Sequence, residues 1–166
     1  MVKKIFISIL VGYLGWCALH PAIFHSVDYV NLIIHEAGHW VFFLGGEFIS
    51  VLGGSFLQVF FPLVFVGYFF LQGDQIGAVA TLAWAGESLA NVSNYISDGF
   101  KMELDLLGGD GVIHDWNYIL NVFHSVQYAE RVGYIVWVVS IVVVAAAIIF
   151  IWVPKKEPVN RAGSLV

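Results

Sequence analysis

The stretch YVNLIIHEAGHWVFFL, residues 29–44, combines the pattern of an apolar helix with that of a metal site. Its His35-Glu36-x-x-His39 pattern places two imidazoles four residues apart, on one face of a helix. Glu36 follows the first histidine and would lie beside the open position of a bound metal ion, where it can take a proton from water. The stretch therefore predicts a helix that carries two zinc ligands and a general base in apolar surroundings.

The composition of the whole chain is that of an integral membrane protein. Hydrophobic residues make up 60% of the 166 residues, charged residues make up 11%, and the mean hydropathy is +0.85. We expect an all-α polytopic membrane protein with about five transmembrane helices and a short amphipathic or re-entrant helix. Residues 1–153 would form a single membrane-embedded domain and residues 154–166 a short polar tail. The apolar stretches are residues 5–19, 29–45, 56–72, 76–97 and 130–153, with the short helix in 112–126.

The charges are unevenly distributed. Five of the seven basic residues lie at the ends of the chain: Lys3, Lys4, Lys155, Lys156 and Arg161. The positive-inside rule would place both ends in the cytoplasm, whereas five spans would separate them, so either 112–126 enters the membrane or one short stretch does not cross it. The net charge of -5 is concentrated in residues 98–115, which is a poor surface for nucleic acid. We expect a multi-pass protein of a bacterial inner membrane, surrounded by the lipid bilayer and without a nucleic-acid partner.

A zinc ion bound by two histidines needs a third protein ligand and an open fourth position. On the motif helix, Asp28 and Asn31 share the stripe of the histidines. A second stripe, Glu87, Asn91, Asn94 and Asp98, recurs at intervals of four, three and four residues, which also marks one face of a helix. Asp98 is a candidate third ligand on this stripe, and it is equally explained as a solvated residue at a helix end that Gly99 caps.

A glycine-rich bend, residues 106–113, leads to a second group of candidates. His114 and Asp115 stand at the start of the predicted amphipathic helix. His114 could be the third ligand, a donor to the transition-state oxyanion or an interfacial histidine, and Asp115 could be the N-cap of that helix.

Glycines also flank the motif. Gly38 leaves room for a second helix or a substrate backbone to come close. The stretch LGGSF, residues 52–56, predicts a turn that could lie against the site, followed by Gln58 as an isolated polar residue. The glycines at 45, 46, 53 and 54 could offer a backbone edge to an unwound peptide.

With these motifs, the chain resembles a compact member of the site-2 protease family of intramembrane zinc metalloproteases. The resemblance covers roughly residues 28–115, and His35-Glu36-Ala37-Gly38-His39 carries it, with weaker support from Asn91 and Asp98-Gly99. It implies that His35, His39 and Asp98 bind Zn²⁺ and that Glu36 is the general base.

The chain also departs from that family. The prolines around the family's Leu-Asp-Gly motif are missing, Ser97 stands where leucine is expected, and the chain has no PDZ-like domain. His114, Asp110 and Asp115 are therefore rival third ligands.

The function that we expect is that of a membrane-embedded zinc metallopeptidase. It would hydrolyse peptide bonds of membrane-spanning or membrane-proximal proteins or peptides, with Glu36 as the catalytic base and His114 as a catalytic oxyanion donor. One alternative is a non-proteolytic membrane protein that uses the metal for binding or regulation, and another is a metal-dependent hydrolase of a lipid-like substrate. Glu36 disfavours the binding-only alternative, because metal affinity alone does not require a carboxylate at that position.

Overall fold

The computed structural model describes residues 2–107 and 112–153, which form six α-helices and no strand. This confirms the all-α class. The predicted tail, 154–166, and Asp110 lie outside the described residues. Short 3-10 turns at Phe43–Gly45 and Val126–Tyr128 follow α2 and precede α6. The helices are α1 Val2–Leu19, α2 Ser26–Val41, α3 Glu47–Leu71, α4 Gln75–Asp98, α5 Asp115–Val122 and α6 Ala129–Trp152.

The helices overlap the apolar stretches that the sequence analysis identified, and α5 is the short helix expected within 112–126. Two segments are long and apolar enough to cross a membrane: α3, and α6 together with the turn before it, Val126–Trp152. The larger number of about five spans stays a prediction.

Helix α4 lies at the centre of the described structure. It packs against α6, α3 and α1, and it contacts α5 near its own C-terminal end. Side chains of α1, α4 and α6 share one apolar core that includes Val11, Val79 and Ala147. Helix α2, which carries the motif, packs mainly against α3. The motif is therefore held between the outer helix α3 and the polar face of α4.

Glycine brings α2 and α3 close together at the motif. A Cβ atom on Gly38 would collide with the carbonyl oxygen of Gly53, and a Cβ on Gly54 would lie 2.7 Å from Nε2 of His35. The second helix for which Gly38 leaves room is thus α3. The turn predicted at 52–56 is wrong, because these residues lie inside α3. Gly53 and Gly54 are buried by helix packing and offer no edge to a peptide.

Replacing Gly38 with alanine should destabilise the fold by roughly 1–3 kcal/mol, because the collision is with backbone that can move only if α2 and α3 separate. The matched control is Gly67→Ala in α3, where nothing lies within 4 Å of the new methyl group and the fold should be unchanged or slightly more stable. The measurement is the midpoint of thermal unfolding of the detergent-solubilised chain. Equal midpoints for the two variants would contradict the close contact.

Candidate metal centre

Three side chains converge at the junction of α2, α3 and α5. Nε2 of His35 lies 2.9 Å from Oδ2 of Asp115, and Nε2 of His39 lies 3.3 Å from the same oxygen. The ligand atoms of these three residues all lie within 4.8 Å of one another. His35 and Asp115 are buried, and His39 is half-buried. These three residues could hold a metal ion.

Hydrogen bonds on the far side of each imidazole set which nitrogen faces Asp115. Nδ1 of His39 lies 2.9 Å from the carbonyl oxygen of Ser50, and Nδ1 of His35 lies 3.2 Å from Oε1 of Gln58. Both oxygens can only accept, so each Nδ1 carries the proton and donates. In a neutral imidazole the lone pair is then on Nε2, which is the arrangement that orients histidines in metal sites.

The chemistry of these donors fits a cation. Two Nε2 lone pairs and a carboxylate oxygen are all acceptors, so only a proton or a metal ion between them makes their approach favourable. In a tetrahedral zinc site with bonds of ~2.0–2.1 Å, neighbouring ligand atoms are roughly 3.3 Å apart, close to the distances between Asp115 and the two histidines. Two histidines and one carboxylate with an open fourth position are a donor set of catalytic zinc sites.

The charge of Asp115 is favourable for this role. Burial raises the pKa of its carboxyl, but the two imidazoles, when they are protonated and donate to it, lower that pKa below the ordinary value for aspartate. Positive charge at this position thus keeps Asp115 ionised, as a metal ligand must be.

Two cavities meet at His35, and one of them is also lined by His39 and Asp115. One has a volume of about 180 Å³ and the other about 250 Å³. Gln58, Asn91 and Asn94 give the first a polar wall. Leu107, Val112 and Ile113 give the second an apolar wall. Both cavities are lined by His35, Glu36, Tyr95 and Leu106.

Glu36 and Tyr95 are thus the other functional groups that face this space. Glu36 is half-buried and borders both cavities. The Tyr95 hydroxyl accepts a hydrogen bond from the backbone N–H of Asp115 at 3.1 Å, and its own proton has no acceptor among residues 2–107 and 112–153. The ring of Tyr95 packs between those of His35 and His114. A carboxylate that can accept a proton and a hydroxyl that can donate one therefore share the two cavities.

The structure does not bring Asp98 or His114 into the group of ligands. Nε2 of His114 lies 3.0 Å from Oδ2 of Asp98, and Nδ1 of His114 accepts the backbone N–H of Asn117 as the N-cap of α5. His114 rather than Asp115 is therefore the cap. Both nitrogens of His114 are bonded within the protein, so its ring has no N–H left for an oxyanion.

Asp98 instead fixes the loop that leads to α5. Its carboxylate accepts the backbone N–H groups of Glu103 and Leu104 and pairs with His114. His114 precedes Asp115 in the chain, so these bonds position the Asp115 side chain beside the two histidines.

Searches of protein-family models, of curated proteins and of solved structures found no match for this chain.

Proposed function

We propose that this chain is a membrane-embedded zinc metallopeptidase with His35, His39 and Asp115 as the ligands and Glu36 as the general base. The observation that carries the proposal is the convergence of two correctly oriented imidazoles and one ionised carboxylate beside Glu36. A zinc ion held there would act as a Lewis acid. It would polarise a carbonyl group and lower the pKa of a water molecule to near neutral.

Glu36 then performs the proton transfers. Its carboxylate faces both cavities, where a water and the scissile peptide group would meet. It takes the proton from the attacking water and passes it to the leaving amine nitrogen, so that an amine rather than an unstable amide anion departs.

Tyr95 is suited to stabilise the negative charge on the carbonyl oxygen. Its hydroxyl is held by the Asp115 backbone, keeps a proton to donate and lines both cavities. It takes the role that the sequence analysis gave to His114, because a donor fixed before the reaction stabilises a developing oxyanion without further reorganisation.

The apolar surface supports a location in the membrane. Besides the two helices long enough to span, the motif helix exposes Ile33 and Trp40, which are 71% and 83% accessible. The two histidines contact Gly54, seven residues into α3 and so roughly 10 Å along that helix at 1.5 Å per residue. Ligands on α2 and α5 that lie level with this point of the candidate spanning helix α3 favour substrates that are themselves in the membrane, and a multi-pass protein of this kind would belong to a cell membrane.

The test compares substrates with the full-length chain in lipid vesicles loaded with zinc. A transmembrane peptide with a helix-breaking Asn-Pro pair near its centre should be cleaved faster than the same peptide without the pair, because peptide bonds inside a helix are shielded. A soluble unstructured chain such as casein should be a poor substrate. Casein cleaved as fast as the transmembrane peptides would contradict the intramembrane site and favour a membrane-anchored peptidase.

A further inference from the structure

A chain of three side-chain hydrogen bonds runs from the start of α2 to His35. Oδ1 of Asp28 accepts Nδ2 of Asn91 at 2.9 Å, Oδ1 of Asn91 accepts Nε2 of Gln58 at 2.8 Å, and Oε1 of Gln58 faces Nδ1 of His35 at 3.2 Å. Asp28 and Gln58 are almost fully buried, and together with Asn91 they line the 180 Å³ cavity. The three bonds connect α2, α4 and α3.

The direction of every bond in this chain follows from its first member. Both carboxyl oxygens of Asp28 accept, one from the backbone N–H of His25 and the other from Asn91, so Asn91 presents its NH₂ group to Asp28 and its oxygen to Gln58. Gln58 must then present its NH₂ group to Asn91 and its oxygen to His35. His35 consequently carries its proton on Nδ1 and directs the Nε2 lone pair at Asp115.

We propose that Asp28 is a positioning residue that sets the protonated nitrogen of His35 through Asn91 and Gln58. The inference rests on the proposed metal site, because an Nε2 lone pair on His35 matters only if Nε2 is a ligand. Asp28 lines the 180 Å³ cavity but is not one of the three converging residues, and it acts on His35 through the polarity of Asn91 and Gln58.

An isosteric substitution tests the polarity. The backbone N–H of His25 donates to Oδ2 of Asp28 at 2.6 Å. In Asp28→Asn this N–H holds the amide oxygen, so the new NH₂ group faces Asn91. Asn91 and Gln58 must then both turn over, and Gln58 presents NH₂ to Nδ1 of His35. The His35 proton moves to Nε2, and zinc binding should weaken about 10–100-fold, as for other groups that orient metal ligands.

A second substitution should restore the original polarity. In Asp28→Asn with Gln58→Glu, the amide of residue 28 donates to Asn91, Asn91 donates to the new carboxylate, and that carboxylate accepts Nδ1–H of His35. Gln58→Glu alone places Asn91 between two carboxylates, and the amide oxygen of Asn91 must then face one of them in a repulsive contact. This single variant should therefore unfold at a lower temperature than the double variant. If Asp28 acted only through packing, the two substitutions would weaken zinc binding additively, and the second would not rescue the first.

The matched control is Asp74→Asn. It makes the same chemical change at the N-terminal end of α4, where the Asp74 carboxylate accepts the backbone N–H groups of Ile76 and Gly77. Zinc affinity is measured for the full-length protein by competition with a chelator of known affinity. We expect Asp74→Asn and the double variant to bind zinc within about threefold of wild type, and Asp28→Asn to fall in the weaker range given for ligand-orienting groups.

A measurement on the unmodified protein completes the test. The ¹⁵N chemical shifts of His35 in the zinc-free chain at alkaline pH identify which ring nitrogen carries the proton, whether or not any variant folds and whether or not the protein cleaves peptides. The proposal requires the proton on Nδ1. A proton on Nε2, unchanged zinc affinity in Asp28→Asn, or a double variant that binds no better than Asp28→Asn would overturn it. Absence of zinc binding by the wild-type chain would instead refute the proposed function.

Discussion

Glu36→Gln should keep the zinc ion and lose peptide cleavage, by roughly 10²–10⁴-fold in the single-turnover rate. Glutamine has almost the same shape as glutamate but cannot take up the proton of the attacking water. Glu36 is not one of the three converging ligands, so the metal should remain at the wild-type level. The measurement pairs cleavage of the transmembrane peptide with the zinc content of the same sample.

Two further variants test whether the loss of cleavage is specific to the role of Glu36. Tyr95→Phe removes the proposed oxyanion donor and should slow cleavage by about a hundredfold without loss of zinc. Glu47→Gln makes the same chemical change as Glu36→Gln at an exposed position on α3 and should cleave at the wild-type rate. Wild-type cleavage by Glu36→Gln would refute the mechanism. Zinc binding without cleavage by any of these proteins would favour the non-proteolytic alternative.

The helices were predictable because their signal is local. Apolar residues continue for long enough in each stretch, and His35-Glu36-x-x-His39 has a spacing that only a helix turns into a binding face. Asp28, Asn31 and His35 were predicted to share a stripe, and the structure buries all three on one side of α2. The pattern of one helix was therefore sufficient to place His35 and His39 next to each other on the face that meets Asp115.

The local signal failed where packing between helices decides the structure. Gly53-Gly54 has the composition of a turn, yet the residues lie inside α3, and they are glycines there because α2 approaches too closely for a side chain. Gln58 was noticed only as an isolated polar residue in an apolar stretch. Its position four residues after Gly54 places it on the same face of α3 as that glycine, which is the signal that could have linked it to His35.

The third ligand depends on a contact between residues 80 positions apart along the chain. Asp98 lies on a helical stripe with Asn91, so the sequence pattern supports Asp98 as a metal ligand as well as it supports Asp115. What separates them is the pairing of Asp98 with His114, which caps α5 and leaves Asp115 free of the capping role. No local pattern in the sequence encodes that pairing.

The matched pair Asp115→Asn and Asp98→Asn tests this assignment with one chemical change at two sites. A neutral amide is a poor zinc ligand. Asp115→Asn should therefore weaken zinc binding by more than roughly a hundredfold, which is the largest effect expected for a group that only orients the ligands. Asp98→Asn should weaken it by about tenfold at most, because the amide oxygen can still accept from the loop and Asp98 acts only through the position of Asp115. Chelator competition on the two purified full-length variants measures both effects. Strong depletion of zinc in Asp98→Asn with full occupancy in Asp115→Asn would return the third ligand to Asp98, and it would require the loop before α5 to rearrange when zinc binds.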